Sequence, residues 1–339
     1  MKAQVKPRIN LEDRTPLESV IPLATPFVLF VDPSSACNFE CVFCPTAYRE
    51  LIKGTGRFVG AMKLDLFKKI IDDLAEFDRP IRVLRMYKDG EPFLNKKLPD
   101  MVAYAKQSGR VQYIDTTTNG SLISPFYLGP VLMAGIDRIN ISVDGMDNAA
   151  YAKFTGAKFD FDSFVENVKW LYANRGNCEV VIKTLHELIP EQATKFYDTF
   201  GNYCDRIFVE NFAPCWPDFD IEGLTGAKIT WGLYGNEVQE VDVCAYIFYS
   251  MAINADGLVS SCFQDWQRKL LIGDARTQSV KSIWNSDAMN KLRLEHLEKK
   301  RRQLPVCGNC GQLTHCMPSN IDAHREALLE RFKNSLVSA

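Results

Sequence analysis

Apolar positions along the chain change period in a regular way. Phe27-Val28-Leu29-Phe30-Val31 is a continuous apolar run of strand length, closed by Asp32-Pro33-Ser34-Ser35. Over 63–77 the apolar residues Leu64, Phe67, Ile70, Ile71 and Leu74 recur at helical spacing. The alternation then repeats. Strands are predicted over 82–87, 111–116, 138–143, 179–184 and 206–211. Helices are predicted over 99–107, 125–134, 161–174 and 190–200, with Gly109, Gly135 and Gly176 placed as stops. Strands alternating with helices call for a parallel sheet with right-handed crossovers. In such folds chemistry collects on the loops at the C-terminal strand ends. Periodicity alone permits either a partial barrel or a doubly wound open sheet.

The pattern also divides the chain. Residues 1–25 are proline-punctuated and read as an arm. Residues 26–215 carry the strand–helix alternation. Residues 216–243 have no clear period and read as a connector. Residues 244–320 bear cysteines among short apolar runs, and 321–339 read as a closing helix.

Composition narrows the class. The chain has 339 residues, is 46% hydrophobic and 24% charged, and has a net charge of −2. Those values are ordinary for a globular protein and offer no basic surface for nucleic acid or anionic membrane. No apolar run approaches a membrane span, and Met1-Lys2-Ala3-Gln4-Val5-Lys6-Pro7 does not open a signal peptide. Eleven cysteines, an odd count, argue against a secreted disulfide framework. Reduced thiols holding metal in the cytoplasm fit better.

Those thiols fall into two groups. Cys37-Asn38-Phe39-Glu40-Cys41-Val42-Phe43-Cys44 follows the first strand. Three thiolates this close can ligate three irons of a cubane cluster and leave the fourth open, where four cysteines are usual. A zinc knuckle is the plainer alternative, but zinc sites add a second cysteine pair or histidines, and none follows nearby. Asp89-Gly90-Glu91-Pro92 follows the second strand.

The triplet resembles the signature of the radical S-adenosylmethionine (SAM) enzymes, and Asp89-Gly90-Glu91-Pro92 resembles their Gly-Gly-Glu-Pro motif, with Asp89 in place of the first glycine. The resemblance implies a partial (β/α)6 TIM-like barrel. It also implies a [4Fe-4S] cluster on Cys37, Cys41 and Cys44, with SAM on the open iron. Gly90, Glu91 and Pro92 are then expected around the SAM ammonium, which needs a run of acceptors. Asn119 and Ser142, at the ends of the third and fourth strands, are expected against the ribose or carboxylate. Lys183 on the fifth strand is a candidate partner for that carboxylate.

The second group is Cys244, Cys262, Cys307, Cys310 and Cys316. A glycine, Gly257, lies between the first two, and Cys307-Gly308-Asn309-Cys310 has two-residue spacing. This is similar to the SPASM extensions of radical SAM enzymes, and more to their shortened twitch form, because Asn320 stands where a further cysteine would fall. The resemblance implies a second [4Fe-4S] cluster on Cys244, Cys262, Cys307 and Cys310, with Cys316 as alternative ligand. Spacing alone also permits a four-cysteine zinc site.

Three cysteines belong to neither group. Cys178 and Cys204 read as small buried residues. Cys215 lies beyond the sixth strand, where a thiol could return a hydrogen atom to a carbon radical. The resemblance points to sugar- or aminocyclitol-modifying dehydrogenases and epimerases. The expected substrate is a small hydroxylated molecule (sugar, aminocyclitol or nucleotide sugar). The expected partner is a flavodoxin- or ferredoxin-type one-electron reductase, with neither nucleic acid nor membrane involved. Trp216, Trp231, Tyr234 and Trp266 are candidate stacking surfaces. His186, Glu210, Asp218 and Asp220 are candidate contacts to hydroxyl or amine groups. Little sequence precedes Cys37, which counts against a leader-peptide domain. A ribosomal-peptide maturase and a non-catalytic iron–sulfur scaffold or sensor are the alternatives.

Overall fold

The computed structural model describes residues 1–316 and 319–337. Its strands are β1 (Gln4–Val5), β2 (Val28–Val31), β3 (Ile81–Arg85), β4 (Val111–Thr118), β5 (Arg138–Val143), β6 (Glu179–Leu185), β7 (Arg206–Glu210), β8 (Ser250–Ile253), β9 (Leu258–Ser260) and β10 (Leu271–Asp274). They form one sheet in the order β1-β7-β6-β5-β4-β3-β2-β8-β9-β10. Neighbours from β2 to β7 are all parallel. Helices Leu64–Asp73, Leu98–Ser108, Pro125–Met133, Phe161–Asn174 and Ala193–Phe200 make the crossovers.

Alternation along the strands decides the curvature. Ile114, Ile139, Ile141, Val180, Ile182 and Ile207 join the helices in the apolar core. The opposite residues, among them Phe30, Arg85, Tyr113, Thr117, Arg138, Lys183 and Glu210, wall a single cavity of about 700 Å³. Since β2 through β7 all contribute to that wall, the sheet wraps around it. The fold is a partial (β/α)6 barrel, not a flat doubly wound sheet. It stays open because β2 and β7 do not pair with each other; their free edges take β8 and β1.

Both terminal regions are more integrated than their sequence suggests. The arm adds β1 parallel to β7. Arg206 then donates to the Pro7 carbonyl (3.2 Å) and Arg138 to that of Arg8 (3.1 Å), which draws residues 8–17 along the lumen. In the extension, β8 pairs parallel to β2, and β9 and β10 follow antiparallel. Its cysteine-bearing end is therefore fixed to the strand that launches the first cysteine loop.

Local differences have local causes. Helix Asn148–Thr155, at 8 residues, is too short to show a clear period, but the Asp147 carboxylate caps it on the Ala150 N–H, and Gly156 ends it at φ 64°. The helix expected from 190 begins at Ala193, because a 3₁₀ turn, His186–Leu188, and Glu191 at φ 60° precede it. The connector contains one short helix, Ile221–Thr225. The closing helix is Arg325–Val337; residues 338–339 of its expected span, and 317–318 of the cysteine-bearing region, lie outside the described residues. Among the described residues no helix is long and apolar enough to cross a membrane.

Candidate active site

The first cysteine loop is held from beneath. Phe39 is buried and meets Tyr151 and Phe159 edge-on at 6.1 and 5.9 Å. The Glu40 and Val42 N–H groups donate to the carbonyls of Thr155 and Phe154 (2.8 and 3.0 Å), and Cys44 N–H to that of Cys41 (3.0 Å). The helix that the periodicity missed is thus the loop's anchor. Asn119 also reaches the loop: its Nδ2 lies 3.8 Å from Cys37 Sγ and donates to Asn38 Oδ1 at 3.0 Å.

These thiols suit iron. Burial pushes Cys37 up to about 12 and raises Cys41 and Cys44 as well, and the ionised sulfurs oppose one another. Bound iron would offset both penalties, since the thiolate is the ligand form. Among the described residues no three His, Cys, Asp or Glu side chains gather tightly enough for a single metal ion.

The second loop lies directly against the first. A Cβ added at Gly90 would collide with the carbonyl oxygens of Ser34 and Ala36, so only glycine permits this approach. Glu91 N–H donates to Ala36 O at 2.9 Å. The Glu91 carboxylate accepts from Phe93 N–H (3.0 Å), Thr118 Oγ1 (2.8 Å) and Asn119 N–H (2.8 Å). Burial pushes it up to about 7 against those bonds. Both its oxygens accept hydrogen bonds from the protein. Pro92 opens the 3₁₀ turn Pro92–Leu94 that turns the chain away.

The aspartate in place of the usual glycine has a structural reason that local sequence does not reveal. Asp89 is buried and meets Arg268 (2.5 Å), Lys88 (3.0 Å) and Arg57 (3.6 Å). Arg57 follows the first cysteine loop, and Arg268 belongs to the extension. Asp89 therefore ties the two cysteine regions together, and the three cations hold its carboxyl well below the usual range against the burial that raises it. Asp32, at the end of β2, is buried beside them with neither oxygen hydrogen-bonded among the described residues. Burial and the Asp89 charge push it up to about 7.

Other expected residues divide. Ser142 is half-buried and stands opposite Lys183 in the β5–β6 register. Lys183 lines the cavity, but Glu210 already holds its ammonium at 2.8 Å. Trp216 and Tyr234 line the same cavity. Trp266 does not serve as a stacking surface: it is 1% exposed, and its indole N–H donates to Pro217 O at 2.8 Å. Trp231 is 55% exposed and off the cavity. Asp220 caps a helix on the Gly223 N–H, and Asp218 pairs with Lys269 at 3.3 Å; neither they nor His186 line the lumen. Cys178 and Cys204 are buried in the core.

In the extension Cys244, Cys262 and Cys307 are buried and Cys310 is half-buried. Burial pushes Cys244 up to about 11 and Cys310 up to about 12, and raises Cys262 and Cys307 too. Ionised Cys262 is opposed by Cys244, Cys310 and Cys307, so the four thiols are near enough to feel one another's charge. Arg301 answers them. Its guanidinium is buried, donates to Cys307 O (2.6 Å) and Val241 O (3.1 Å), and has no carboxylate partner among the described residues. Its charge favours the thiolates of Cys244, Cys307 and Cys310. The neutral His296 ring accepts the Cys244 N–H at 3.2 Å; burial and Arg301 push its pKa down to about 3. Arg301→Gln should therefore strip the extension's iron selectively. The expected readout is about half the wild-type iron per chain after gel filtration, given two clusters of equal size, with the triplet's signal retained.

Cys316 takes a different position. Its sulfur lies 3.1 Å from that of Cys215, on helix Gln312–Cys316 and against Ala213 and Leu233. Cys215 lines the lumen cavity with Phe43, Phe212 and Tyr234. Burial, then the bond to Cys215, raises the Cys316 thiol.

The chain is thus a partial barrel with one thiol group on the loop after β2 and a second thiol group in the extension. Residues 31–199 match the family model described as the radical SAM superfamily, and residues 244–311 match SPASM, an iron–sulfur cluster-binding domain. The chain carries a radical SAM domain followed by a SPASM domain and belongs to the radical SAM superfamily. Its cofactors are accordingly SAM, a [4Fe-4S] cluster in the first domain and additional iron–sulfur in the second. An AdoMet-dependent heme synthase of Methanosarcina barkeri is 23% identical over 323 residues, covering 84% of this chain and 88% of that protein. An Fe-coproporphyrin III synthase of the same organism is 32% identical over 127 residues; that match covers 38% of this chain and only 29% of the relative's length. The crystal structure of BtrN in complex with AdoMet and 2-DOIA shares the fold, with TM-score 0.57 and 18% identity over 87% of this chain and 97% of that one.

Proposed function

We propose that the protein abstracts hydrogen from a C–H bond of a small hydroxylated molecule held in the lumen, and that Cys215 returns a hydrogen atom, giving epimerisation. The observation that carries this reading is Cys215 in the cavity wall with Cys316 at 3.1 Å. The cavity, about 700 Å³, has the capacity of a small-molecule site.

When bound, SAM and the reduced cluster supply a 5′-deoxyadenosyl radical able to take hydrogen from a strong C–H bond. We assign the placement of SAM to Cys37, Cys41 and Cys44 with Gly90, Glu91, Pro92, Asn119 and Ser142. We assign the second cluster to Cys244, Cys262, Cys307 and Cys310. Phe43, Phe212 and Tyr234 exclude water from the substrate. The Cys215 S–H bond breaks homolytically, and its hydrogen goes to the substrate carbon. Cys215 is left one electron short beside Cys316. One electron from a ferredoxin- or flavodoxin-type reductase and one solvent proton restore the thiol, so substrate and product have one composition.

One observation favours dehydrogenation as a second reading. Cys215 lies in the cavity wall near enough to Cys310 for its charge to raise that thiol, so the extension's thiols would stand ready to take an electron leaving the substrate. Glu210 Oε1, buried and without a hydrogen-bond partner among the described residues, would take the hydroxyl proton.

Cys215→Ala separates the readings. In deuterated water, product deuterium per 5′-deoxyadenosine should fall at least about tenfold if the thiol is the donor, a modest share of what a positioned reactive group contributes. Unchanged labelling would remove Cys215 from the chemistry.

A further inference from the structure

The wall of the lumen carries more positive charge than it balances. Arg8 and Arg85 both donate to the single phenol oxygen of Tyr87, each at 3.0 Å. Arg138 meets Asp115 at 2.5 Å, and Arg85 stands 4.0 Å from the same carboxylate oxygen. Lys183 takes Glu210 at 2.8 Å, leaving Arg8 at 3.8 Å from that group's other oxygen. Four cations thus share two carboxylates. Glu179 lies 3.7 Å from Arg138 but is already forked by Arg206. The Nε–H groups of Arg8, Arg85 and Arg138 are buried without partners among the described residues. Uncompensated buried charge and unmade charged hydrogen bonds are both costly.

The arrangement is built from distant parts of the chain. Arg8 reaches the lumen only because β1 pairs with β7 and Arg138 holds the Arg8 carbonyl. Arg85 ends β3, and its guanidinium also lies 5.5 Å from the centre of the Phe30 ring. Phe30 in turn stacks on Phe263 of the extension at 4.5 Å. The cavity therefore has a cationic side next to an aromatic one.

We propose that Arg8, Arg85 and Tyr87 bind an anionic group carried by the substrate, a phosphate or a carboxylate, with Arg138 and Lys183 supplying further positive charge. Guanidinium forks suit either oxyanion, and an anion between Arg8 and Arg85 would relieve their mutual repulsion and use their orphaned donors. The inference rests on the reading of the lumen as the substrate site.

The test uses anaerobically reconstituted holoenzyme. Calorimetry with inorganic phosphate, pyrophosphate and citrate, each against chloride of equal ionic strength, should show one saturable site. The tighter arm tells phosphate from carboxylate. Arg85→Gln should weaken that site about tenfold or more, the size expected for one charged hydrogen bond. Arg8→Gln should do the same, and serves if the first variant misfolds. Lys53→Gln, an exposed lysine elsewhere, should not change it. No saturable binding in the wild type, or equal binding in both arginine variants, overturns the proposal. SAM cleavage by the wild type is measured separately. Cleavage without anion binding sinks this inference alone, and anion binding without cleavage sinks the functional reading alone.

Discussion

Replacing Cys41 with alanine should remove about half of the bound iron, given two clusters of equal size, and reduce 5′-deoxyadenosine formation to the background of reagent controls. The reason is geometric. Cys37, Cys41 and Cys44 share one loop whose backbone is pinned at Phe39, Glu40, Val42 and Cys44, so no other described thiol can swing into the vacancy. Serine in place of Cys41 should fare no better, because its hydroxyl does not ionise as a thiol does. Iron analysis and chromatography on the anaerobically reconstituted variant check the result. Retention of full iron and of SAM cleavage would show that the triplet is not the initiating site.

Asp89→Asn should destabilise the fold by about 3–5 kcal/mol, the range seen when one partner of a buried ion pair is removed. The side chain keeps its shape but stops answering Lys88, Arg57 and Arg268. Asp32 sets where in that range the cost falls. It is held up at about 7 by burial and by the Asp89 charge. Removing that charge lets Asp32 ionise more readily and take over part of the role. The double variant Asp32→Asn/Asp89→Asn should therefore cost more than the sum of the two single changes. Pairing Asp89→Asn with Arg268→Gln should cost less than their sum, since the two residues touch. Thermal unfolding midpoints of the wild type, the three single variants and the two double variants decide both comparisons. Additivity throughout would mean that Asp89 does not join the two cysteine regions.

The sequence made some of this legible because the signals are local. The strands of the partial barrel are short Val- and Ile-rich runs between turns, and β5 runs over Arg138–Val143 as its alternation predicts. The cysteine groups are read from spacing alone. What escaped depends on partners far along the chain. Asp89 and Arg268 are 179 residues apart, and Cys215 and Cys316 are 101 apart. Nothing near Arg8 says that β1 will carry it to Tyr87, 79 residues away. Trp266 illustrates the opposite limit: an aromatic residue near a cysteine offers the same local signal whether it faces a ligand or, as here, the core. Helix Asn148–Thr155 was within reach, since Asp147 and Gly156 bracket it as a cap and a stop.

Where the abstracted hydrogen is replaced from decides the chemistry. Anaerobic turnover of the wild-type protein in deuterated water, with phosphorylated and carboxylated hydroxylated substrates, measures this directly. Hydrogen return from Cys215 predicts a product of unchanged composition that carries one solvent deuterium on carbon for each 5′-deoxyadenosine formed. A product two hydrogens lighter, with no solvent deuterium on carbon, would contradict it.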